Sequence, residues 1–277
     1  MKKLLSFFAI VMCIVMLLSL TSCGPFMSVS KVNRAVKEFG TPQAQMTLSF
    51  TTSKGTKFIY VITYDLLLQK TPITVINFIN LVEDGFYKDV IFDTYNSSNN
   101  YYSAAKYAYR KSGDSDDMHG YENASGITMV GEFKTNNYPE PNGGYEQFSL
   151  FSLAMYHDNN ADSVNSANGT LIFSTASSAS KDKKSLNYTN YAVFAKVVSI
   201  DIYIGDNETP VTYTADKMNS TYLQNMVEQT STYSMSMIKS DGTSPSVSVL
   251  ASGATPRFVF SIAMLGDKDW TKLPKVN

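Results

Sequence analysis

Alternating apolar and polar residues give the first strand pattern along the chain. Met46, Leu48 and Phe50 alternate with Thr47, Ser49 and Thr51, the period of a strand with one buried face. Ser53-Lys54-Gly55 reads as a turn, and Phe58 to Tyr64 as a second strand, apolar on both faces. The period then changes. Val75, Phe78, Ile79 and Val82 fall at i, i+3, i+4 and i+7, one face of a helix. Pro72 suits the first helical position, Thr71 is the expected N-cap and Gly85 the expected stop. Strand patterning resumes at Phe86–Phe92, Phe148–Met155 and Leu186–Val198, and alternation at Phe258, Phe260, Ile262 and Met264 predicts a closing strand. Two more helices are predicted, a short one over Ser28–Phe39 with Val32, Ala35 and Val36 on one side, and another over Ala215–Glu228. Thr230–Thr255 reads as a long loop with some strand, and Asp267–Asn277 as a polar tail holding Trp270.

Composition narrows the class. A chain of 277 residues suits one large domain, or one domain with appendages. Aromatic residues reach 13%, which favours strands. Net charge is −1, or −3 without Lys2 and Lys3 (21 basic against 24 acidic residues), and no basic block appears, which argues against nucleic acid as a partner. The two cysteines, Cys13 and Cys23, both lie near the N-terminus, so the folded part has no disulfide and no cysteine-ligated metal. His119 and His157 are far apart, and Asp114, Asp116 and Asp117 lack the spacing of an EF-hand loop, so neither metal nor cofactor is expected.

The N-terminus carries an address. Met1-Lys2-Lys3 is a positive n-region, and Leu4–Leu18 is almost wholly apolar. Leu20-Thr21-Ser22-Cys23 comes directly after it and resembles a bacterial lipobox. The expectation is a signal peptide over 1–22, lipidation at Cys23, and a lipid-anchored tether over 23–43. That places the protein outside the cytoplasm on a bacterial cell membrane.

Five separated motifs carry a further resemblance. They are the Thr71-Pro72-led helix ending in Gly85-Phe86-Tyr87, and Gly126–Phe133 with its terminal Glu132-Phe133. Ser152-Leu153-Ala154 comes next, with Asn165–Phe173 after it, and then Phe194-Ala195-Lys196-Val197. Their kind and order resemble the cyclophilin-type peptidyl-prolyl cis-trans isomerases over 44–265. The resemblance implies a mainly β fold: a closed eight-stranded antiparallel barrel capped by two helices, with insertions near 95–118 and 200–255 and a tail over 266–277.

It also implies a site. The family's catalytic arginine aligns with Thr94 and the neighbouring histidine with Asp93. A family glutamine aligns with Lys111, or with Arg110 one residue away. The implied pocket is Phe92, Leu153, Ala154, Ile172, Leu186 and Tyr191, with Thr170 in place of a second glutamine. A threonine hydroxyl offers one neutral donor where a guanidinium offers five, and Lys111 or Arg110 is the candidate substitute cation. Three readings stay open: an isomerase acting on X-Pro bonds of exported proteins, a non-catalytic binder of proline-containing peptides or a partner, and a surface lipoprotein with a structural or adhesive role and no preserved pocket.

Overall fold

Strand alternation and one strong helical stripe set the framework. The computed structural model describes residues 29–51, 55–96, 101–104, 108–109, 118–120, 129–157, 169–175, 190–214, 232–238, 246–252, 255–256 and 258–274. The leader, Cys23, Arg110, Lys111, Leu186 and the helix expected over 215–228 lie outside the described residues. Met46, Leu48 and Phe50 of β1 (Gln43–Thr51) are buried, and so are Tyr60, Ile62 and Tyr64 of β2 (Lys57–Leu66), its antiparallel partner. Two helices are described, α1 (Val29–Phe39) and α2 (Pro72–Glu83). The chain continues through β3 (Val90–Asn96), β4 (Tyr101–Ala104), β5 (Ala108–Tyr109), β6 (Met118–Gly120), β7 (Leu153–Met155) and β8 (Leu171–Ser174). It then forms β9 (Val193–Ile204), β10 (Val211–Thr214), β11 (Thr232–Ile238), β12 (Ser246–Ser252), β13 (Thr255–Pro256) and β14 (Val259–Leu265).

Nine strands form one antiparallel sheet in the order β10-β9-β2-β1-β14-β3-β4-β8-β7. β7 also pairs with β9, through Leu153 with Ala195 and Ala154 with Val193, so the sheet curls back toward itself. Its concave side holds the main core, where Phe78, Tyr87, Phe92, Phe173, Phe194 and Phe260 pack ring against ring. The fold is mainly β, as the sequence implies.

The expected cap on α2 is replaced by a remote one. The Thr71 side chain makes no cap bond and turns back to Leu67 O. Glu132 supplies the cap instead, accepting from Ile73 N at 3.0 Å and Thr74 N at 2.7 Å. A carboxylate there satisfies helix N–H groups that have no partner within the helix and faces the positive end of the helix dipole. The other end matches expectation. Gly85 has φ +74, and the bonds Gly85 N to Val82 O and Phe86 N to Leu81 O form a Schellman motif.

Two segments expected to be appendages pack on the domain. Ala35 and Phe39 of α1 are buried, and the Phe39 ring stacks on Trp270 at 5.4 Å. Lys268 Nζ donates to Glu38 O and Phe39 O, the last carbonyls of α1. Residues 29–39 of the expected tether and 266–274 of the expected tail therefore fold together. Burying an indole is favourable enough to fix a short polar segment around it.

The expected loops also meet. β13-β12-β11-β6-β5 form a second sheet, in which β11 runs parallel to β6 through Met237 with Met118 and Ile238 with His119. The insertion near 95–118 and the stretch over 230–255 thus pair with one another. Tyr233, Met235 and Met237 alternate with Thr232, Ser234 and Ser236, a strand signal the loop assignment overlooked.

Glu132 is almost fully buried, and burial pushes its carboxyl from 4.5 up to about 7, against the opposing pull of the Thr74 and Ile73 N–H groups. The folded chain therefore keeps a proton that the unfolded chain gives up. Its stabilising contribution is full below pH 4.5 and is lost as pH rises through about 7. Urea unfolding across that window should show stability falling with pH, and Glu132→Gln should remove that component of the slope. Glu132→Ala, which orphans two buried N–H groups, should cost about 3 kcal/mol.

Candidate functional site

Strands buried on both faces carry two sets of side chains, and β4, β7, β8 and the first three residues of β9 do so here. Tyr102, Ala104, Leu153, Met155, Leu171 and Phe173 join the main core. Tyr101, Ala154, Ile172 and Val193 join a second cluster with Phe148 and Tyr191, and half-buried Tyr156 packs on it. The register sets one row across the sheet: Thr94 opposite Ser103, Ser103 opposite Ile172, Ile172 opposite Ala154, and Ala154 opposite Val193. β3 enters this row through a bulge. Pairing passes from Phe92 with Ala104 to Thr94 with Ser103 and skips Asp93. One extra residue in a strand bends it and re-aims the residues beyond the bulge.

Of the expected pocket residues, Ala154, Ile172 and Tyr191 come together in the second cluster. Phe92 and Leu153 do not. Phe92 lies inside the curled sheet with ring contacts to Phe173 at 5.2 Å and Phe260 at 4.7 Å, and Leu153 belongs to the same core. The reason is the two-residue period, since with Ala154 on one face of β7, Leu153 takes the other. Thr170 is buried just before β8, where its carbonyl accepts from Tyr156 N at 2.9 Å. Asp93 and Thr94 are described through their backbone alone.

Several residues that shape the site escaped the sequence analysis. His157 is buried, its ring 4.6 Å from Phe133 at 13° and 5.0 Å from Tyr191, and Nε2–H donates to Asn190 O at 2.5 Å. Phe148 meets Tyr191 edge to face at 6.3 Å. These rings make a continuous aromatic wall beside Ile172. From within the core, Tyr64 OH donates to Phe151 O at 3.0 Å and Tyr87 OH to Gly169 O at 2.7 Å. Burial raises the pKa of both phenols, which keeps them protonated as donors. They fix the segments that lead into β7 and β8.

The segment before β7 is a turn, not the strand expected over Phe148–Met155. Phe151 sits in the left-handed region at φ +63 and donates its N–H to Ser174 O. Ser152 Oγ closes the turn, donating to Ser149 O at 2.8 Å and accepting from Ser149 N at 3.1 Å. A bulky residue at positive φ persists only where its surroundings over-determine it. Here the Tyr64 bond, the Ser174 bond and the Phe151–Phe173 stack at 4.9 Å do so.

Chemically the cluster is apolar and aromatic, with Ala154 and Ile172 fully buried at its centre and Phe148 and Tyr191 slightly exposed. Among the described residues no group of His, Cys, Asp and Glu could hold a metal ion. Glu146, two residues before Phe148, pairs with Lys70 at 2.8 Å and with Lys196 at 3.6 Å.

The model of the family "Cyclophilin type peptidyl-prolyl cis-trans isomerase/CLD" matches residues 47–208. A Cryptosporidium parvum cyclophilin-type peptidyl-prolyl cis-trans isomerase is similar in structure at 13% identity and TM-score 0.38, covering 81% of this chain and 99% of that one. A structure of the same protein in the presence of the dipeptide Ala-Pro shows the same identity and TM-score over 80% of this chain. A cyclophilin from Hirschia baltica has 13% identity and TM-score 0.31, over 82% of this chain and 99% of its own. No curated protein matches. The matched span exceeds half of the chain and runs from within β1, through α2, to just beyond β9. On that match, the chain belongs to the cyclophilin-type peptidyl-prolyl cis-trans isomerase family.

Proposed function

We propose that this protein is lipid-anchored through Cys23 and holds X-Pro segments of exported proteins over the cluster of Ala154, Ile172 and Tyr191. We further propose that it isomerises them slowly. One observation carries the reading: the register row that sets Thr94, the position of the family arginine, in line with Ile172 and Ala154. The Ala-Pro dipeptide of the Cryptosporidium parvum structure supports proline peptides as the ligand class.

An X-Pro bond turns slowly because rotation breaks amide resonance. A catalyst must favour the twisted state, in which the prolyl nitrogen gains a lone pair. A preplaced donor does this, and loss of one such donor in other enzymes costs about 10²–10³ in rate. A threonine in that place has one neutral hydroxyl as donor. Lys111 is the candidate second donor, being a cation that aligns with a family glutamine. Binding without any turnover is the second reading, and threonine at position 94 is what favours it.

Exchange NMR on an Ala-Pro peptide tests both. The wild type should show weak catalysis, and Thr94→Arg should raise kcat/KM by about 10²-fold. Lys111→Met should abolish the residual rate, and an unchanged rate would exclude Lys111 as the donor. No turnover in the wild type with retained peptide affinity would establish the second reading. Tyr191→Ala should weaken peptide binding about tenfold by removing an aromatic face. An unaltered affinity there would place the ligand elsewhere.

A further inference from the structure

A cleft of about 180 Å³ opens between α1 and the C-terminal segment, on a floor of Ala35 and Phe39. Three cations line it, Lys31, Arg34 and Lys272, against one carboxylate, Glu38. The ion pairs there are loose: Arg34 meets Glu38 at 3.8 Å with the arginine side chain 85% exposed, and Lys272 meets Asp269 at 3.5 Å. Such exposed pairs exchange readily for a stronger anion. Lys31, at the edge of the cleft, and Lys37, outside it, are both exposed on α1, with no ion pair among the described residues.

The position of this surface along the chain matters as much as its charge. Val29, the first residue of α1, is only six residues beyond Cys23. Fully extended, that stretch reaches about 20 Å, so an acyl chain at Cys23 keeps α1 at the bilayer surface. The Phe39–Trp270 stack and the Lys268 bonds to Glu38 O and Phe39 O fasten α1 to the domain. An attraction acting on α1 therefore acts on the domain as a body. We infer that the α1–C-terminal face docks on anionic phospholipid headgroups of the leaflet that carries the anchor, with the cleft taking a headgroup phosphate between Lys31, Arg34 and Lys272. This rests on the lipid-anchor reading, and it fixes how the domain is oriented at the membrane.

Trp270 is the sole tryptophan and lies beside the cleft, so it serves as the native probe. Lipidated full-chain protein is reconstituted in phosphatidylcholine vesicles with and without phosphatidylglycerol, each carrying dansyl-phosphatidylethanolamine. Energy transfer from Trp270 should be higher with phosphatidylglycerol. The gain should vanish in high salt and in the triple variant Lys31→Glu, Arg34→Glu, Lys272→Glu, whose changes fall on exposed side chains. Equal transfer in both vesicles, or a gain that survives the triple variant, overturns the inference. Binding of inorganic phosphate by the cleft with no gain from phosphatidylglycerol assigns it to a soluble anion and also overturns the inference. Failure of the anchor itself reads out separately, as protein that does not float with pure phosphatidylcholine vesicles.

Discussion

Side-chain register across β3, β4, β8, β7 and β9 is the constraint on which the rest depends. Each of β4, β7 and β8 is buried on both faces, so no polar face marks which residue points where. A slip of one residue in β8 would exchange Ile172 with Phe173 and Leu171, filling the outer cluster with core side chains and the core with a gap. Cavity and overpacking would then penalise both sides at once. The two clusters therefore select a single pairing, and that pairing builds the row from Thr94 to Val193.

Polar groups buried in the core secure the same arrangement. Tyr64 and Tyr87 reach through the interior to Phe151 O and Gly169 O, the two backbone points from which β7 and β8 start. Glu132 ties the segment before the aromatic wall to the start of α2, and its neighbour Phe133 stacks on His157. Each bond satisfies a backbone group that would otherwise be buried without a partner. Helix, wall and floor are thus positioned relative to one another by hydrogen bonds that leave no room for sliding. The same economy holds at the opposite surface, where Lys268 caps α1 and Trp270 fastens it.

The legible parts of this fold are those governed by local pattern. β1 announced itself by Met46, Leu48 and Phe50, α2 by Pro72 and its apolar stripe, and Gly85 by the left-handed turn that only glycine adopts freely. The cap by Glu132 was not legible, because its partners lie 58 and 59 residues away and nothing in Gly131-Glu132-Phe133 names them. The division between Leu153 and Ala154 was hidden for a different reason. In Leu-Ala-Met and Leu-Ile-Phe both faces are apolar, and a period of two leaves no trace in composition. The turn at Phe151 contradicts local preference, and only the surrounding bonds explain it. Trp270 sat among charged residues and looked like a tail, while its partner Phe39 lies near the other end of the chain.

The family's chemistry asks for an apolar floor and a donor close to it. The strands that carry Ala154 and Ile172 are held in line by the register, and Thr94 lies in the same row. On the proposed reading, an apolar floor without the family arginine would bind peptide more readily than it turns it over. The most direct test is an amide chemical-shift titration of the protein with an unlabelled Ala-Pro peptide. The account predicts that perturbations concentrate at Thr94, Ser103, Ala154, Ile172 and Tyr191. Shifts that leave those amides unmoved and appear on other strands would contradict it.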